Sequence, residues 1–173
     1  MKGLTWILAA LAAAIGGYLG YTLVLDRTPG VIMNRVMEVL AERGASRHSF
    51  NLGPRITPES QTVVRPSPDF AYSICMFDFT SGVDALEVVA GPWPPYGSLS
   101  FFDANTNNFA TLRAEDGART VLAAPGVELD GEHIAAPTDK GLILIRRLAA
   151  SADAHAAVAA GPATQDRCAP PTS

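Results

Sequence analysis

Cysteine occurs twice in this 173-residue chain, and charged residues fill only 17% of it. The 13 Lys and Arg are scattered and outnumbered by 17 Asp and Glu, for a formal net charge of −4. With no basic stripe or Lys/Arg run, nucleic-acid binding is not expected. The three histidines, His48, His133 and His155, stand apart from one another and from both cysteines. None has a neighbour at metal-ligand spacing, so neither a metal site nor a cofactor is expected. A glycine-rich phosphate loop and a G-x-S-x-G elbow are also missing, which leaves no recognised catalytic motif. The carboxylates Asp78, Glu87, Asp103, Glu115 and Asp116 are dispersed, and no pair stands out as a hydrolase's acid and base.

What the chain does have is grease at its start. Gly3 to Leu25 carries no charge, and about 20 apolar residues in a helix cross a bilayer core. Residues 1–25 are therefore read as a transmembrane anchor contacting the lipid bilayer. A cleaved signal peptide, with Ala9 to Ala14 near the cut, is the competing reading. The anchor is preferred because the apolar run continues through Tyr18, Leu19, Tyr21 and Leu23. Lys2 favours a cytoplasmic start, which places the rest of the chain across the membrane. Gly16 and Gly20 form a small-xxx-small pair that admits a close helix neighbour.

Residues 26–60 are read as a membrane-proximal helix and a connector. Thr28 is its predicted N-cap, Pro29 its first residue and Gly44 its C-terminal stop. Ile32, Val36, Val39 and Leu40 form its apolar stripe. It is expected to pack on the following domain.

Residues 61–150 read as a run of short strands. Pro66 and Pro68 enforce an extended approach to a strand over Phe70 to Phe79. Alternation puts Phe70, Tyr72, Ile74, Met76 and Asp78 on one face and Ala71, Ser73, Cys75, Phe77 and Phe79 on the other. Both sets are mainly apolar, which predicts a central strand covered on both sides. Further strands are expected over Val83–Ala90, Tyr96–Asp103, Phe109–Arg113, Arg119–Ala123, Glu132–Ala136 and Leu142–Leu148. Asp116-Gly117 is a hairpin signal. This turn density, without alternating long helices, predicts a mainly β fold, a β-sandwich or jelly roll. Residues 151–173 are read as a short helix and a loose tail.

The order and spacing of several pieces resemble the domain-of-unknown-function 1254 family of bacterial envelope proteins. These pieces are Arg65-Pro66-x-Pro68-Asp69-x-x-Tyr72-Ser73, then Asp78 and Gly82, then Tyr96-x-Ser98. Asp103-Ala104-x-Thr106-Asn107-x-Phe109, Pro137-Thr138-Asp139 and Arg146 complete them. Ser67 and Phe70 depart from the family pattern, where Asn and a small polar residue are usual. The resemblance implies a sandwich fold and an inner-membrane protein with its domain in the periplasm. It also implies a companion domain of the 1214 type, expected here on a separate membrane protein.

Arg146 shares a strand face with Leu142 and Leu144, and a buried guanidinium needs a carboxylate. Asp78 and Asp103 are its expected partners. Together with Asn107 and Tyr72 they are read either as an anion-binding pocket or as ion pairs and turns that fix strand ends. Cys75 and Cys168 are expected to form a disulfide in an oxidising compartment; two free thiols are the alternative. The leading functional expectation is a non-catalytic interaction partner. A small-molecule or glycan-binding module using Trp93, Tyr96 and Phe102 comes second. A hydrolase using Asp78 or Asp103 with Arg146 comes third.

Overall fold

The computed structural model describes residues 2–57 and 66–171. Arg65 and the expected domain boundary at 60/61 lie outside the described residues. The first element is α1, Lys2–Glu42, a single helix of 41 residues and so roughly 60 Å long. Its apolar N-terminal part makes it long and apolar enough to cross a membrane, and none of that window is buried.

The separate membrane-proximal helix expected from Thr28 is the second half of α1. Pro29 lies inside the helix, and Thr28 does not cap it, because its hydroxyl donates to the Val24 carbonyl at 2.5 Å. A proline inside a helix costs about 3 kcal/mol. Tertiary packing opposes that break by docking the second half of α1 on the domain. Met33 and Met37 are buried against Met76, with Leu40, Phe102 and Leu142 around them. The expected stripe is thus rotated, leaving Ile32 50% exposed. Methionine, with three rotatable bonds, fills the irregular gap over a sheet better than a branched residue. Gly44, at φ 87°, ends the helix region as expected.

Nine strands follow among the described residues: β1 Asn51–Leu52, β2 Phe70–Asp78, β3 Ala85–Ala90, β4 Gly97–Asp103 and β5 Asn108–Arg113 come first. Next are β6 Ala118–Ala123, β7 Ile134–Ala135, β8 Lys140–Leu148 and β9 Arg167–Ala169, with α2 Ala152–Ala160 between β8 and β9. They form two sheets, ordered β1-β2-β8-β4-β5 and β7-β6-β3-β9. Both are antiparallel except for the β6–β7 pair.

One core lies between the sheets. Cys75, Phe77, Leu99, Phe101, Ile143 and Ile145 come from the first, and Leu86, Val88, Leu122 and Cys168 from the second. The inward set of β2 is the predicted Ala71, Ser73, Cys75, Phe77 series. Its other face is covered by α1 at Met76. Thr80 and Ser81 bond back to Asp78, and Gly82, at φ 86°, closes this turn in the left-handed region.

Two local expectations change. Asp116-Gly117 is a tight turn, with Gly117 at φ 86°, but it does not make a hairpin. It carries the chain from β5 at the edge of the first sheet to β6 in the second. Turn chemistry reverses the chain; strand pairing is decided by partners elsewhere, β4 for β5 and β3 for β6. Nor is the tail loose. Pro162–Gln165 forms a 3-10 turn, and β9 pairs with β3.

Candidate functional site

The outward face of the first sheet carries most of the candidate residues, and the register orders them in rows. Asp78 lies opposite Lys140, Met76 opposite Leu142, Ile74 opposite Leu144, Tyr72 opposite Arg146 and Phe70 opposite Leu148. On the other side of β8, Arg146 lies opposite Ser98, and Ser98 in turn opposite Arg113 on β5. Lys140 and Arg146 are six positions apart on one strand, so roughly 20 Å separates the two ends of the face. The predicted five-residue pocket therefore does not form. Asp78 sits at one end and Arg146 with Tyr72 at the other. Asp103 and Asn107 lie at the β4–β5 turn, level with Gly141.

At the Asp78 end, a cleft of about 530 Å³ opens between α1 and the sheet, with Asn34, Glu38, Arg47, Asp78 and Lys140 in its lining. The Asp78 side chain is only 4% exposed. One carboxylate oxygen accepts from the Thr80 amide at 3.1 Å and from the Thr80 hydroxyl at 2.5 Å. The other faces Arg47 at 3.5 Å and Lys140 at 3.8 Å. Burial raises the Asp78 carboxyl, but the Thr80 hydrogen bonds and the two cations outweigh it and hold the group below the usual carboxylate range. The His48 ring accepts from the Asp78 amide through Nε2 at 3.1 Å. Burial depresses its pKa by more than the contact with Asp78 restores. The ensemble is a polar network that caps the end of β2.

Asp103 is likewise occupied. One oxygen accepts from the amides of Asn105 and Asn107, both at 2.8 Å, and the other from the Asn107 side chain at 3.0 Å. Thr138 ties this turn to the next strand, accepting from the Ala104 amide and donating to the Lys140 carbonyl. Asp103 and Asn107 build a turn, and neither contacts Arg146.

The arginine that enters the core is Arg147. Ile143, Ile145 and Arg147 point inward on β8, whereas Leu142, Leu144 and Arg146 point outward. Arg147 meets Asp166, with both side chains 1% exposed. Its guanidinium donates to both carboxylate oxygens, at 2.9 and 2.5 Å, and to the Gly91 carbonyl at 3.0 Å. Asp166 also accepts from the Gly91 amide, so the fork holds the proline loop and the tail together. Nothing local in the sequence pairs positions 147 and 166; the nearby Cys168 was the one hint that this tail is fastened. Cys168 and Cys75 form a disulfide joining β9 to β2, one strand from each sheet.

The three aromatics expected to form a stacking surface are split apart. Trp93 donates its indole N–H to the Leu148 carbonyl at 2.7 Å and packs with Ala71, Ala149 and Val158. Tyr96 meets Phe70 edge-on at 5.7 Å. Phe102 lies at the far end of β4 with the methionines. No cluster of His, Cys, Asp or Glu able to hold a metal ion occurs among the described residues.

Sequence reasoning passed over Ser98 as a site residue. It is 4% exposed on the outward face beside Arg146. The Ser98 hydroxyl and the Arg146 Nε are both buried without a hydrogen-bond partner among the described residues.

The architecture is similar to that of the VPA0106 protein from Vibrio parahaemolyticus, a crystal structure matched with a TM-score of 0.59 at 13% identity. The match covers 84% of this chain and 35% of that one. A putative uncharacterized protein from Burkholderia cenocepacia is similar over 67% of this chain and 35% of its own, at 16% identity and a TM-score of 0.44. The chain thus spans about a third of each of these solved proteins. No curated protein matches it. The sequence profile that does match, over residues 48–170, is that of the proteins of unknown function designated DUF1254, and the chain belongs to that family.

Proposed function

We propose that this protein is a membrane-tethered β-sandwich of the bacterial envelope, anchored once in the inner membrane with its domain in the periplasm. In this reading it acts as a non-catalytic partner of a membrane protein that carries a companion domain of the 1214 type. The observation that carries the reading is the unbroken α1. Its exposed apolar half and its docked half are one helix, clamped to the first sheet through Met33, Met37 and Met76. A simple leash needs only a flexible linker. A helix clamped to the sheet instead sets the distance and tilt of the domain relative to the bilayer, as docking onto a second membrane protein requires.

Two further features support the reading. A disulfide between the sheets suits an oxidising compartment. Asp78 and Asp103, the carboxylates of the hydrolase reading, are engaged in holding turns about their own strands.

The test is purification from native membranes with identification of co-purifying proteins. The expected result is a stoichiometric membrane protein bearing the companion domain. That complex should weaken when two flexible glycine-serine repeats are inserted between Thr28 and Pro29. A domain that purifies alone, or a complex indifferent to the insertion, overturns the proposal.

A further inference from the structure

The exposed side chains of α1 change character at two places, and the two do not coincide. The first is Asp26 and Arg27, the charges that end the uncharged stretch. The second comes more than a turn later. Val31 and Ile32 are apolar and 65% and 50% exposed, whereas Asn34, Arg35, Glu38 and Glu42 make the exposed face beyond them polar. Met33 and Met37 are turned into the domain, which leaves Val31 and Ile32 on the uncovered side.

A shallow groove of about 350 Å³ along α1 joins the two sides of the charged pair. Leu23 and Val24 line it before Arg27 and Thr28, and Val31 and Ile32 line it after them. The Thr28 hydroxyl is bonded to the Val24 carbonyl, so it asks nothing of water. Arg27 is exposed, and an arginine can lay its stem along apolar surface while its head reaches a phosphate.

The domain meets α1 at this level. The backbone at Gly30 passes so close to the β4–β5 turn that a Cβ there would lie 3.9 Å from the Ala104 carbonyl oxygen and from Asn105 Oδ1. Beyond Gly30 the helix packs on Phe102 of β4, Leu142 of β8 and Met76 of β2. It therefore enters from the side of β5, the edge strand of that sheet. Asn105, Thr106, Asn107 and Asn108 are exposed and uncharged. Gly30 is five positions beyond Leu25, about 8 Å along the axis, and headgroups extend roughly 5–8 Å beyond each face of the hydrocarbon core.

We infer that the domain rests on the bilayer surface, with Val31 and Ile32 in the headgroup layer, Arg27 on a lipid phosphate and the β4–β5 turn against the headgroups. Interfacial helices bury an apolar face in this way, and continuity with the uncharged half of α1 sets the depth. The inference rests on the reading of α1 as a membrane anchor and names the surface against which that anchor holds the domain.

The experiment places one nitroxide label at a time on the full chain in vesicles of phosphatidylethanolamine and phosphatidylglycerol, through L11C, I32C, T106C or S49C. Cys75 and Cys168 are buried and joined, so they take no label. Collisions with dissolved oxygen report lipid, and collisions with a water-soluble nickel chelate report water. L11C should be reached by oxygen and shielded from nickel. S49C, next to β1 at the opposite edge of the sheet, should be open to nickel. I32C and T106C should be several-fold less accessible to nickel than S49C. V31D/I32D, which alters two exposed residues, should raise nickel access at T106C toward the S49C value. A shielded L11C with I32C and T106C as wet as S49C, or T106C indifferent to V31D/I32D, overturns the inference and leaves the anchor standing. A wet L11C overturns both together. Shielding of I32C from both probes, with spin–spin broadening between labels, would place a second copy of the chain on Val31 and Ile32 and also overturn the inference.

Discussion

Arg146 and Arg147 are adjacent in the chain and occupy opposite faces of the same strand. On the inner face, Arg147 is closed by the fork to Asp166 and by the Gly91 carbonyl. On the outer face, Arg146 makes no ion pair among the described residues, although Asp78, six positions along, has two cations. The lesson is physical. Between two sheets a charge is tolerated only when the protein itself supplies the counter-charge, because desolvation costs several kcal/mol per ion. On the outward face that demand relaxes, because the Arg146 side chain is only partly buried.

The largest effect is expected at Asp166. Removing its carboxylate strands Arg147 in the core, and D166A should lower unfolding stability by about 3–5 kcal/mol in urea titrations. A loss below about 1 kcal/mol would mean that water reaches Arg147 and that the inner face is not sealed. Second in size is the disulfide. Cys75 and Cys168 are separated by 93 positions, and closing so long a loop contributes about 2–4 kcal/mol. C75S/C168S should show that loss under oxidising conditions and none under reducing ones relative to the reduced parent. Equal stability of parent and variant in both conditions would contradict it.

His48 and Asp78 both have depressed pKa values in the folded state. Their contribution is therefore fully present at neutral pH and falls as pH drops, first below the ordinary histidine value of about 6.5 and then below the ordinary carboxylate value of about 3.9. Thermal melts between pH 8 and 3 (chosen to bracket both values) should show the two-step decline. H48N should remove the first step and D78N the second, and a flat profile in the parent would contradict the network. The smallest effect belongs to Arg146. With no protein partner to lose, R146Q should change stability by less than about 0.5 kcal/mol, measured in the same urea titrations as D166A. A large loss would make Arg146 a structural residue after all.

Much of this was legible in the chain. The uncharged stretch from Gly3 to Leu25 is helical in α1, a helix long and apolar enough to cross a membrane. Alternation over Phe70–Asp78, bracketed by Pro68 and Gly82, specified β2 and its two faces, and Gly82 adopts the left-handed conformation the turn needs. Strand β4 and helix α2 were legible for similar local reasons, with Ser151 capping α2. The candidate site was legible only in part. Tyr72 and Arg146 do share a row, but Asp78, Asp103 and Asn107 belong to turns at the other end of the sheet.

Periodicity tells which residues travel together on one side of a strand, and it is a property of the backbone alone. Which side is the inside depends on where the second sheet lies, and no local pattern encodes that. Arg146 and Leu144 share a face, as alternation groups them, and that face is the outward one because Ile143 and Ile145 pack with Cys168, Leu86 and Val88 from distant segments. The same reason governs Pro29, whose helix-breaking tendency of about 3 kcal/mol yields to Met33 and Met37 packing on Met76. It governs the tail as well, which the β3–β9 pairing, the Arg147–Asp166 pair and the disulfide bind down. Short-range chemistry determined the elements of this protein; contacts between residues far apart in sequence decided which of its charges are sealed and which remain open.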